Sequence, residues 1–125
     1  MKRILPLLAV LLLSSCYNAQ RKCEDFRTGT FEFETYINGE LQTSRFIRND
    51  SIEIEKYQGK TDTSSVRWVN DCEYILKNTN PQGMAEEKPI HIKILTTTKN
   101  GYKFEYGQVG DPKKARGEVR KVSDN

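Results

Sequence analysis

Beyond Phe26 the chain alternates apolar and polar residues with a period of two, and it nowhere sustains the 3.6-residue period of an amphipathic helix. Thr28–Ile37 places Phe31, Phe33 and Ile37 on one face and Glu32 and Glu34 on the other, the pattern of a half-buried strand. Asn38-Gly39, two residues that tolerate positive φ, predicts a tight hairpin turn. Glu40–Arg48 returns as a second strand with weaker alternation, because Phe46 and Ile47 are adjacent. After a turn at Asn49-Asp50, Ser51–Tyr57 is expected to hold Ile52 and Ile54 inward and Glu53 and Glu55 outward. Gly59–Thr63 turns again, Val66 and Trp68 mark the fourth strand, and Asn70-Asp71 leads to a fifth with Cys72, Tyr74 and Leu76 on one face.

Asn78–Pro89 holds Asn80-Pro81, Gly83 and Pro89, which predicts the longest loop, with one helical turn around Met84–Lys88. Ile90, Ile92 and Ile94 then alternate with His91 and Lys93, Asn100-Gly101 turns, and Tyr102, Phe104 and Tyr106 alternate with Lys103 and Glu105. Arg116–Val122, carrying Val119 and Val122, is a short, charged last strand suited to an edge or to barrel closure. The prediction is all-β: a single antiparallel up-and-down meander of about eight strands, because nearly every connection is too short for a parallel crossover. Eight strands close into a small lipocalin-like barrel or form a strongly curved sheet. About fourteen inward apolar residues would fill such a barrel nearly completely, which argues against a large cavity.

The N-terminus has a different pattern. Lys2 and Arg3 precede the apolar run Ile4–Leu13 and the small residues Ser14 and Ser15, the form of a secretory signal peptide over residues 1–15. As a helix the run would cover only ~15 Å, too short for a bilayer core of ~30 Å. Leu13-Ser14-Ser15-Cys16 resembles a bacterial lipobox, which implies acylation of Cys16 and a lipid anchor in the cell envelope. The alternative is cleavage after Ala19, which would release a freely secreted protein beginning at Gln20. The domain plan is thus signal peptide 1–15, lipidated tether 16–25, β domain 26–122 and tail 123–125. Either cleavage leaves Cys23 and Cys72 as the two cysteines of the folded region in an oxidising compartment, and a disulfide between them is expected.

Composition narrows the function. The chain of 125 residues has 20 Lys+Arg and 17 Asp+Glu. Removing Lys2 and Arg3 with the leader brings the balance close to zero, which gives no support for a nucleic-acid partner. His91 is the only histidine and lies on the outward phase, with no nucleophile assignable to it. Glu32, Glu34, Glu53 and Glu55 fall on the polar phase and are expected in water, with Arg45, Lys56 and Arg67 as cross-strand partners. Asp62 and Asp71 sit in turns without further calcium-ligand spacing. Gly59-Lys60-Thr61 lacks the upstream glycine of a phosphate loop, because Ile54 occupies that position. Asn49-Asp50-Ser51-Ile52 fits short glycosylation patterns, with Ser51 as the candidate O-linked site. The expectation is a protein without catalytic residues, metal or cofactor.

The lipobox together with CEDFRTGTFEF (Cys23–Phe33), RNDSIEIE (Arg48–Glu55), VRWVNDCEYIL (Val66–Leu76) and KFEYG (Lys103–Gly107) resembles small exported lipoproteins of flavobacterial type whose function is unknown. The architecture is similar to lipocalin-like barrels, without a diagnostic lipocalin signature, and that analogy bears on function only weakly. Two non-enzymatic roles are expected. The first is an interaction or scaffold lipoprotein that offers its surface and the Asn78–Pro89 loop to an envelope protein or polysaccharide. The second is a carrier or sensor that holds a small hydrophobic ligand among Trp68, Tyr74, Tyr102, Phe104 and Tyr106.

Overall fold

Each period-two segment forms a strand, and each strand pairs antiparallel with the next: β1 Gly29–Ile37, β2 Glu40–Arg48, β3 Ile52–Tyr57, β4 Lys60–Asn70, β5 Glu73–Asn78, β6 Ile90–Thr97, β7 Gly101–Gln108 and β8 Ala115–Ser123. The computed structural model describes residues 21–124, and for 35–37 the backbone only. The leader, Cys16 and the side chain of Ile37 therefore lie outside the described residues. β1 pairs with β2 on one side and β8 on the other, so the meander closes into an eight-stranded barrel. A single helical turn, α1 Met84–Glu87, interrupts the long β5–β6 loop.

Local chemistry accounts for the turns. Asn38 (φ +52°) with Gly39 (φ +81°), and Gln58 (φ +46°) with Gly59 (φ +76°), supply the paired positive φ values of tight hairpins. Asn100-Gly101 behaves otherwise: Gly101 opens β7 without a positive φ, and the turn residues precede it, with Thr98 N–H donating to Gly101 O at 2.8 Å. Here glycine serves close approach, since a Cβ would lie 2.1 Å from the Val119 carbonyl oxygen of β8. Gly101→Ala is expected to lower stability by about 1–3 kcal/mol in urea unfolding. An unchanged midpoint would show that β8 yields without cost.

The phase of β3 is opposite to the sequence expectation. Ile52 and Ile54 are 40% and 37% exposed, while Glu53 is only 6% exposed and Glu55 is half-buried. The cause is register. Arg48 stands opposite Glu53 and Phe46 opposite Glu55, and directly opposed residues share a face of the sheet. Because β2 turns Ser44, Phe46 and Arg48 inward, β3 must turn its glutamates inward as well. Asn49 locks this pairing: its Oδ1 accepts the Ser51 and Ile52 N–H groups at 2.9 and 2.8 Å, and its own N–H donates to Ile52 O at 3.0 Å.

The two ends of the barrel differ. A 3₁₀ turn, Cys23–Phe26, with Cys23 and Phe26 buried, packs across the end where β1 begins. The Cys23–Cys72 disulfide fastens it to the β4–β5 connection. The β5–β6 loop and the β1–β2, β3–β4 and β7–β8 connections gather at the opposite end.

Candidate functional site

Arg48 ends β2 inside the plugged half of the barrel and is completely buried. Its guanidinium donates to Glu53 Oε1 at 3.0 Å, to Tyr74 Oη at 2.8 Å and to Tyr102 Oη at 3.3 Å. It also donates to two carbonyls of the plug, Phe26 O at 2.5 Å and Arg27 O at 3.1 Å. Aromatic faces surround it, with the guanidinium carbon 4.6 Å from the Phe31 ring centre and 4.7 Å from that of Tyr74. One side chain therefore joins β2, β3, β5 and β7 to the plug. Burial pushes the Glu53 carboxyl above its ordinary value, and Arg48 pulls in the opposite direction.

Above this cluster the interior is not filled. A cavity of about 200 Å³ runs along the inner wall. Phe33 and Phe46 border it on one side, Tyr74, Leu76, Ile90 and Ile92 on another, and Tyr102, Phe104, Tyr106 and Val119 complete the apolar lining. Ser44, Glu53 and Glu55 supply its polar wall. The expected close filling fails here because β2 turns Ser44 inward and β3 turns two glutamates inward where its alternation promised Ile52 and Ile54. The volume lies below the ~300–1,000 Å³ common for drug-sized ligands. Wider depressions lie on the outer wall, one of about 450 Å³ beside Glu32, Glu34, Glu118 and Arg120. There Glu32 is already held between Arg45 and Arg120, whose hydrogen bonds keep its carboxyl below the usual range.

Glu55 has no hydrogen-bond or ion-pair partner among the described residues. Burial pushes its carboxyl up, and the like charges of Glu53 and of Asp62, its cross-strand neighbour on β4, push the same way. A carboxyl raised by folding contributes fully below the ordinary carboxylate range, and the contribution is lost as pH rises through the raised value. Glu55→Gln is thus expected to raise the thermal midpoint at pH 7 and to leave it nearly unchanged below about pH 4. Equal midpoints for the two proteins at pH 7 would contradict the placement of Glu55.

Of the five aromatic residues proposed for a pocket, Tyr74, Tyr102, Phe104 and Tyr106 border the cavity. Trp68 does not: it is half-buried toward the plugged end, its ring centre 4.6 Å from that of Tyr74 and under the Arg27 guanidinium. His91 is half-buried on the outer wall, with Nε2 3.0 Å from Glu73 Oε1. Asn70 and His91 together hold the Glu73 carboxyl below its ordinary value. Ser51 is exposed in the β2–β3 turn, and Gly59-Lys60 closes a hairpin. Among the described residues no cluster of three or more His, Cys, Asp or Glu is arranged to hold a metal, and no helix is long and apolar enough to cross a membrane.

Alternation alone does not place Arg48, Glu53 and Glu55 in the interior. Their one signal is the adjacency of Phe46 and Ile47: choosing Phe46 as inward makes Arg48 inward too, and pairing across the short turn then carries Glu53 and Glu55 inside. No protein-family model, curated protein or solved structure matches the chain.

Proposed function

We propose that this protein is an exported, lipid-anchored binding barrel that holds a small, largely apolar molecule and performs no chemistry on it. The cavity carries the proposal: apolar walls converge on a few polar groups, the usual composition of a small-molecule site. The firmly plugged opposite end supports it, because a barrel fixed by Arg48 and a disulfide remains closed without a fully packed interior. The leader and lipobox support the location, with Cys16 as the acylated residue and the envelope membrane as its anchor. Isothermal titration with benzyl alcohol at pH 7 is expected to give saturable binding. Ser44→Leu, which fills the cavity beside Phe46, is expected to abolish that binding while circular dichroism stays unchanged. Binding that survives this substitution would place the ligand elsewhere.

One observation favours a second role as an interaction lipoprotein. The inverted β3 leaves Ile52 and Ile54, beside Ile47 of β2, as an apolar strip on the outer wall. A cross-link from this strip to one envelope protein or polysaccharide, lost in Ile47→Ser/Ile54→Ser, would support that role.

A further inference from the structure

The charges of the cavity do not balance. Two carboxylates, Glu53 and Glu55, border it, and Arg48 is bound to Glu53 at 3.0 Å, which leaves Glu55 without a counter-ion among the described residues. The groups around Glu55 offer none. Glu53 lies two positions away on β3, Asp62 faces it from β4, and β2 presents Ser44 and Phe46 beside it, with its only inward cation, Arg48, committed to Glu53. Across the cavity stand the phenols of Tyr74 and Tyr102, both in contact with Arg48, and that of Tyr106.

We infer that the cavity selects a small organic cation, an ammonium group on a compact apolar body, with Glu55 as its counter-ion. This deepens the proposed function and rests on it. A neutral occupant would strip water from Glu55 without supplying a counter-charge, and an anion would add like charge to Glu53, Glu55 and Asp62. An ammonium group supplies both the missing charge and hydrogen-bond donors to the carboxylate. The apolar body then lies among Phe104, Tyr106 and Leu76, and the ring faces attract the cation further. Among the described residues that line the cavity, Glu53 is paired with Arg48 and Glu55 is the carboxylate left over, so a single cationic group on the ligand suffices.

The test uses three probes of one shape: benzylammonium, benzyl alcohol and benzoate, titrated calorimetrically into the intact protein at pH 7 and low salt. Benzylammonium is expected to bind tighter than benzyl alcohol by on the order of tenfold, and benzoate to bind weakest. In Glu55→Gln the preference for benzylammonium over benzyl alcohol should disappear, with an unchanged circular dichroism spectrum showing that the variant is folded. Glu55→Asp should retain the preference. Equal or tighter binding of benzyl alcohol or benzoate by the unaltered protein would overturn cation selection and leave the binding role standing. A preference that persists in Glu55→Gln would overturn the assignment to Glu55. Absence of binding by all three probes would overturn both the inference and the proposed function beneath it.

Discussion

Replacing Arg48 by Met is expected to cost the fold about 3–5 kcal/mol, read as a shift of the urea midpoint. The loss would arise from what remains behind rather than from the missing contacts alone. Glu53 would keep its buried position without its cation, and the Phe26 and Arg27 carbonyls would lose the donor that draws the plug into the barrel. Replacing both partners removes the unpaired charge, so Arg48→Met/Glu53→Met should recover a large part of the loss. A single-variant cost below about 1 kcal/mol would mean that water or rearranged side chains readily take over the role of Arg48.

Removal of the disulfide by Cys23→Ser/Cys72→Ser should lower stability by about 4 kcal/mol on the chain-entropy account. The bridge spans a sequence separation of 49 residues, long enough for a substantial loss of freedom in the unfolded chain. It also holds the 3₁₀ turn whose neighbouring carbonyls accept from Arg48, so the two effects should be coupled. In the disulfide-free background the cost of Arg48→Met is expected to shrink, because part of its partner set has already loosened. Strict additivity in a double-mutant cycle would show that the plug keeps its position without the bridge.

What the amino-acid sequence revealed follows the range of the forces involved. The strands, the Asn38-Gly39 turn, the helical turn at Met84 and the Cys23–Cys72 pairing depend on local alternation, backbone preference or cysteine parity, and all are present. The facing of β3 depends on a neighbour. Ile52-Glu53-Ile54-Glu55 alternates perfectly whichever face is buried, and hydrophobicity alone selects the wrong one. The pairing with β2 overrides it, because a buried Arg48 needs an anion across the strand and Glu53 is the residue opposite. The β6–β7 turn expected at Asn100-Gly101 is present, but Gly101 closes it as the first residue of β7, and the reason for glycine there is an approach by β8 from far along the chain. The plug has no signature in the sequence, because four residues of 3₁₀ structure carry no period. Trp68 belongs to its expected strand, yet depth along the barrel axis, which alternation does not encode, puts it below the cavity.

The most direct measurement is the location of a bound small molecule by intermolecular nuclear Overhauser effects in solution, with benzylammonium as the probe. Contacts from the probe ring to Leu76, Phe104 and Tyr106, with its methylene group near Glu55, are the predicted result. Contacts confined to Ile47, Ile52 and Ile54 on the outer wall, or no saturable contacts at all, would contradict a barrel built to hold a ligand inside.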